Sequence, residues 1–160
     1  MTTTNSEERT MSDRIENAAE ISDSLELIQV VIHTIGTLHP GAIRRIDDGL
    51  YYDLGSRFRN PHSDPAMRYR NGLDPEVREH VLSTPGVMPM VEQIGESAQA
   101  VLASYANARL RLVHVTVACR GGRHRSVAVA EAVGQYLATA GIRSEIEHHH
   151  IDLPVIEDQG

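Results

Sequence analysis

The apolar positions of this chain change period several times, and each change marks an element. Residues Ser24 to Thr37, S-L-E-L-I-Q-V-V-I-H-T-I-G-T, alternate and then run into Val30-Val31-Ile32, which predicts a first strand. Ala42 to Asp48 reads as a short helix that ends at Asp48-Gly49. Leu50 to Leu54 reads as a second short strand with Asp53 at its C-terminal end. Asp74 is a good N-cap with Pro75 at the first helical position, so Glu76 to Leu82 should be helical until Thr84-Pro85-Gly86 breaks it. Met88 to Ala108 carries Met90, Val91, Ile94, Ala98, Val101, Leu102 and Tyr105 on one helical face. Leu112, Val113, Val115, Val117 and Ala118 form the dense apolar run of an interior parallel strand. Val127, Val129, Ala130, Val133, Gly134 and Leu137 return to helical spacing, with Gly141 as the C-cap. Ile142 to Leu153 alternates like an edge strand.

Strands and helices in alternation predict an α/β fold. The expected architecture is a single layered domain over residues 24–153, with a mainly parallel or mixed sheet of about four strands flanked by helices. Residues 1–23 are polar and acidic and read as a flexible tail, with a short helix around Asp13–Glu20. Residues 154–160 read as a second acidic tail. No apolar run reaches membrane-spanning length, and the start lacks the basic and apolar regions of a signal peptide. A cytoplasmic protein without a membrane partner is the simplest expectation. Cys119 is the one cysteine, which excludes an intramolecular disulfide framework.

Charge is unevenly placed. Residues 1–26 hold seven acids and two arginines, and residues 145–160 hold five acids and no arginine, whereas residues 27–144 hold ten acids and 13 arginines. All fifteen basic residues are arginine, the side chain best suited to planar, bidentate contacts with phosphate or carboxylate. The acidic net charge of −7 argues against indiscriminate nucleic-acid binding, and the scarcity of aromatics argues against a base-stacking platform.

The candidate chemistry lies where the interior strand meets the next helix. Cys119-Arg120-Gly121-Gly122-Arg123-His124-Arg125-Ser126 is a glycine turn between a strand and a helix start. Such a turn aims backbone N–H groups at the C-terminal edge of the sheet, a geometry that suits an oxyanion. Arg120, Arg123, His124 and Arg125 add positive charge or donors, and Ser126 adds a hydroxyl. A phosphate held by this turn is the central expectation. The long polar segment Gly55 to Pro75 is the expected flap over it, because a merely solvated loop rarely carries so many stiffening prolines among charges. Its arginines are Arg57, Arg59, Arg68 and Arg70. Asp53, Arg57, Asn60, His62, Asp64 and Arg68 are the flap-side candidates for the remaining ligand groups. Arg68 and Asp64 could equally pair with each other to hold the flap's shape.

The same turn fits C-x5-R-S, which admits a cysteine-dependent phosphatase. Cys119 would attack phosphorus as a thiolate, Arg125 would clamp the equatorial oxygens, and Asp53 or Asp64 would protonate the leaving group. The alternative uses the turn only to bind, with Cys119 as a small packing residue and no catalytic residue. His33 and His39 read as structural. His148, His149 and His150 would alternate faces on a strand, so no metal or cofactor is expected there.

Two motifs, in order, carry a family resemblance. Cys119-Arg120-Gly121-Gly122-Arg123-His124-Arg125-Ser126-Val127 resembles the C-T-G-G-x-H-R-S-V motif of the RNase adapter protein RapZ family, in its C-terminal domain. Asn60-Pro61-His62, Asp64-Pro65 and Arg68, followed by Gly72-Leu73-Asp74, resemble that family's N-P-H-x-D-P-x-x-R and G-L-D. The resemblance covers about residues 25–152. It implies an α/β domain likened to part of the phosphofructokinase fold. It also implies a regulatory domain that senses an amino-sugar phosphate and serves RNA or an RNase as partner; an RNA-binding adapter without small-molecule sensing is a further alternative, and a homo-oligomer is admitted. No G-x-x-x-x-G-K-[ST] occurs in this sequence, so nucleoside triphosphate hydrolysis of the Walker kind is not expected from it.

Overall fold

The computed structural model describes residues 27–41, 49–107 and 111–157. Strand β1 spans Val30–Gly36, β2 Leu50–Asp53, β3 Val113–Cys119 and β4 Ser144–His148. Helix α1 spans Pro75–Leu82, α2 Val87–Ser104 and α3 Arg125–Thr139, and a single 3₁₀ turn lies at Pro61–Ser63. The expected helices around Asp13–Glu20 and Ala42–Asp48, and the first tail, lie outside the described residues.

The four strands form one parallel sheet in the order β2-β3-β1-β4. All seven residues of β1 are buried, as the apolar run required. One face carries Val30, Ile32, Val113, Val115 and Val117, which join Val77 and Val81 of α1, Val91 and Ile94 of α2, and Val129, Val133 and Leu137 of α3 in a single cluster. Each such side chain contributes about 1.5–3 kcal/mol on burial, so this face is the main source of the fold's stability. Asp74 caps α1 as its sequence required, accepting from the backbone N–H of Glu76 at 3.0 Å and of Val77 at 3.4 Å. The other face carries Val31, His33 and Ile35, which register places beside His114 and Thr116 of β3 and Glu145 and Glu147 of β4.

Two elements are shorter than the alternation suggested. The first strand starts at Val30 rather than Ser24, and Leu27 is more than half exposed. The last strand ends at His148 rather than Leu153. Beyond it the chain turns because its groups are taken elsewhere. The His150 ring accepts the Gly36 N–H, and the carbonyls of Ile151 and Leu153 accept from Arg123.

Parallel strands bring their C-terminal ends to one edge. Gly36 sits beside Cys119, and Asp53 sits beside Ala118. The segments that follow β1, β2 and β3 therefore meet at that edge, where open parallel sheets place their ligands.

Candidate binding pocket at the glycine turn

The turn after β3 is built around Gly122. Its φ of +67° lies in the left-handed region, and a Cβ there would stand 2.4 Å from the backbone nitrogen of Gly36. Only glycine lets the turn press this closely against the end of β1. The Gly122 N–H donates to Cys119 Sγ at 3.2 Å, and Ser126 Oγ lies 3.2 Å from the same sulfur. Cys119 thus closes the turn from inside and is 3% exposed. The chain after β1 takes the turn's carbonyls: Thr37 and Leu38 donate to those of Cys119 and Arg120, and His39 Nε2 donates to that of Gly121 at 3.1 Å.

Helix α3 begins without a side-chain cap. His124 stands at the N-cap, but its Nε2 donates to the Met67 carbonyl at 3.1 Å. The first-turn N–H groups of α3 therefore have no capping side chain, the condition that favours an anion there. Burial is the main cause that pulls the His124 pKa below its ordinary value, so its ring is neutral at neutral pH.

The arginines divide their work. Arg125 is 3% exposed, and its Nη1 donates to the carbonyls of Leu54 at 3.0 Å, Gly55 at 3.3 Å and Arg57 at 2.8 Å. It holds the beginning of the flap. Burial lowers its pKa from the usual arginine range, but a guanidinium keeps its proton in proteins. Arg123 donates to the carbonyls of Tyr69 and Arg70 in the flap and of Ile151 and Leu153 after β4. It clamps the flap to the C-terminal segment. Arg120 lies on the pocket wall.

The flap's polar side chains largely shape the flap itself. Asn60 Oδ1 accepts the His62 N–H at 3.3 Å and starts the 3₁₀ turn. Asp64 Oδ1 accepts the Ala66 N–H at 2.9 Å, Arg68 Nε donates to the His62 carbonyl at 3.0 Å, and Asp53 Oδ1 accepts the Gly55 N–H at 2.7 Å. Arg68 and Asp64 thus each bond to backbone in holding the flap's shape. Gly72 seats the far end of the flap on α3. Its N–H donates to the Arg123 carbonyl at 2.8 Å, and a Cβ would come within 2.5 Å of the His124 carbonyl oxygen.

Flap and turn enclose one pocket. Asn60 and His62 line it from the flap, Cys119 to Gly121 and Arg123 to Arg125 from the turn, and Leu38 from the segment after β1. Pro154, Val155 and Ile156 complete the wall. Gly122 and Ser126 support the turn, and Asp53, Arg57, Asp64 and Arg68 are not in the lining. Pro154 to Ile156, expected from the sequence to belong to an acidic tail, are instead part of the pocket lining. Their one signal was an apolar P-V-I among acids, and Arg123 fixes them by holding the two carbonyls just before them. Two buried side-chain nitrogens have no hydrogen-bond partner among the described residues: Arg125 Nε and His62 Nε2. One comes from the turn and one from the flap, and both residues line this pocket.

Comparison with known sequences adds a family. The sequence profile of the RapZ C-terminal domain matches residues 10–152. A nucleotide-binding protein of Zymomonas mobilis is 35% identical over 111 residues, which is 69% of this chain and 34% of that protein. Nucleotide-binding proteins of Rubrobacter xylanophilus and Frankia casuarinae are 41% identical over 96 residues and 38% identical over 92. Those matches cover 59% and 58% of this chain, and 32% of each relative. The chain thus spans about a third of the length of the curated relatives it matches.

Proposed function

Because the chain belongs to the RapZ C-terminal domain family, we propose that its pocket binds a phosphorylated small molecule, of the amino-sugar phosphate class. Binding would regulate an adapter role toward an RNA or an RNase. The observation that carries this reading is the pair of unpartnered buried nitrogens, Arg125 Nε and His62 Nε2, on two residues that line one pocket, one from the turn and one from the flap. A buried polar group without a partner costs about 1–3 kcal/mol, which a ligand that bonds to it recovers. The Arg125 N–H and the uncapped start of α3 suit a phosphate, and His62 suits a sugar hydroxyl.

The relatives' name points to nucleotides. This chain covers about a third of them and contains no G-x-x-x-x-G-K-[ST], so the nucleotide belongs to the reading of those proteins rather than of this pocket. A phosphatase is the second reading, favoured by one observation: Cys119 Sγ accepts the Gly122 N–H and lies 3.2 Å from Ser126 Oγ. Against it, Asp53 and Asp64 each turn a carboxylate oxygen to a backbone N–H two residues on, and neither lines the pocket. Arg125 spends Nη1 on flap carbonyls rather than on a substrate.

Thermal denaturation with and without a hexosamine 6-phosphate tests the binding reading. The expected result is a rise in Tm that is lost in His62→Ala. No rise at millimolar ligand contradicts it. Turnover of an aryl phosphate that disappears in Cys119→Ser transfers the site to the phosphatase reading. A salt-sensitive gel shift with structured RNA tests the adapter part.

A further inference from the structure

The second face of the sheet holds a cluster that the pocket does not use. His33 lies in the middle of β1, directly opposite Glu147 of β4 in the parallel register. His149, two residues beyond Glu147, reaches the same place. His33 Nδ1 is 3.0 Å from His149 Nε2 and 3.2 Å from Glu147 Oε2, and His149 Nε2 is 3.6 Å from that oxygen. We propose that His33 Nδ1, His149 Nε2 and a Glu147 carboxylate oxygen form a site for a borderline transition-metal dication of the Zn2+ type.

Three observations carry this. The first is the size of the triangle. Ligand atoms about 2.0–2.1 Å from a tetrahedral zinc stand about 3.3 Å apart. The observed 3.0, 3.2 and 3.6 Å bracket that value, so the three atoms already stand at the spacing of ligands to one ion. The second is chemical type. Two imidazoles and one carboxylate are a ligand set for zinc, with a fourth position left for water or another ligand. The third is the support behind His33. Its other nitrogen, Nε2, lies 3.1 Å from His114 Nδ1 on β3, and the two rings lie end to end, 20° from parallel, with centroids 5.4 Å apart. An N–H from His33 Nε2 to His114 leaves the Nδ1 lone pair facing the site, the arrangement that usually orients a metal-bound histidine. His33 is 8% exposed, whereas the other two ligands stand at the surface, so an ion could enter from their side.

The neighbouring histidines have separate tasks. His148 points to the helical face, bonding Thr34 Oγ1 and Glu131 Oε1, each at 2.9 Å. His150 accepts the Gly36 N–H at 2.7 Å and packs on His39. One histidine of the three therefore enters the cluster. Its partner His33 lies 116 residues away, which hid the set from any spacing rule.

Titration of the tag-free 160-residue chain with Zn2+ in a calorimeter tests the proposal. The expected stoichiometry is one ion per chain. His149→Ala and Glu147→Gln should each weaken binding by at least about tenfold, and His114→Ala, acting through His33, by about 10–100-fold. His80→Ala, on α1, should bind as the parent does. Co2+ should give the intense visible bands of a tetrahedral ion, and these should vanish in His149→Ala. Absence of binding at micromolar Zn2+, or binding undiminished in both His149→Ala and Glu147→Gln, would overturn the proposal.

Discussion

The Arg125 guanidinium donates to the Arg57 carbonyl at 2.8 Å, so the residue that opens α3 also fixes the start of the flap. All three bonds to the Leu54, Gly55 and Arg57 carbonyls come from Nη1, and a lysine Nζ stands one bond nearer the backbone, short of them. Arg125→Lys should destabilise the fold by about 1–3 kcal/mol, the cost of leaving a buried acceptor unpaired. It should also speed proteolysis within residues 55–60. Urea denaturation and limited proteolysis check both effects, and an unchanged cleavage rate would remove the tether.

The two glycines of the turn should behave in opposite ways. Gly122→Ala places a methyl against the Gly36 backbone at 2.4 Å and forces a side chain into the left-handed region. The backbone strain alone is about 1–2 kcal/mol, so the total loss should exceed that. A Cβ at Gly121 meets nothing within 4 Å, and that residue lines the pocket. Gly121→Ala should leave Tm close to the parent value while weakening hexosamine phosphate binding at least about tenfold, or 1.4 kcal/mol. Scanning calorimetry and a binding titration on both variants separate fold from site.

Arg123 joins two walls of the pocket by its bonds to Tyr69, Arg70, Ile151 and Leu153. In Arg123→Ala, amide protection should fall at residues 151–156 and 69–72 together, and stay near the parent level in β1 and β3. Hydrogen exchange read by mass spectrometry tests this. Loss at one segment alone would mean that the clamp does not couple them.

Acid should weaken the fold through His124. Burial is the largest cause of its lowered pKa, and Arg123 and His62 nearby add to it, while the Met67 and Arg68 carbonyls oppose it. The unfolded chain therefore takes up a proton near pH 6.5 that the folded chain refuses. This contribution to stability is complete above that pH and is lost as pH falls below it. Urea midpoints measured from about pH 7.5 to about pH 5 should fall, and His124→Gln should flatten the fall. An identical slope in the variant would assign the effect elsewhere.

What the sequence made legible was local. Leu112 to Ala118 announces a strand by its apolar run, found at Val113–Cys119, Asp74-Pro75 announces a helix start, and Gly121-Gly122 announces the turn between β3 and α3. The pocket's two principal walls were legible too, because each lay in one continuous motif. The partners of long side chains were not. Arg125 and Arg123 read as phosphate donors by type, yet their N–H groups reach carbonyls from 28 to 71 residues away. The third wall, Pro154 to Ile156, and the cluster of His33 with His149 depend on the same long-range closure. A pattern read along the chain has no term for it.

The most direct test of the central claim is an amide chemical-shift titration of the ¹⁵N-labelled chain with a hexosamine 6-phosphate, with inorganic phosphate in parallel. Saturable shifts are expected at Gly121, Gly122, His124, Arg125 and Ser126 for both ligands, with His62 and Asn60 moving only for the sugar phosphate. Shifts confined to residues outside the turn, or none at millimolar ligand, would contradict that claim.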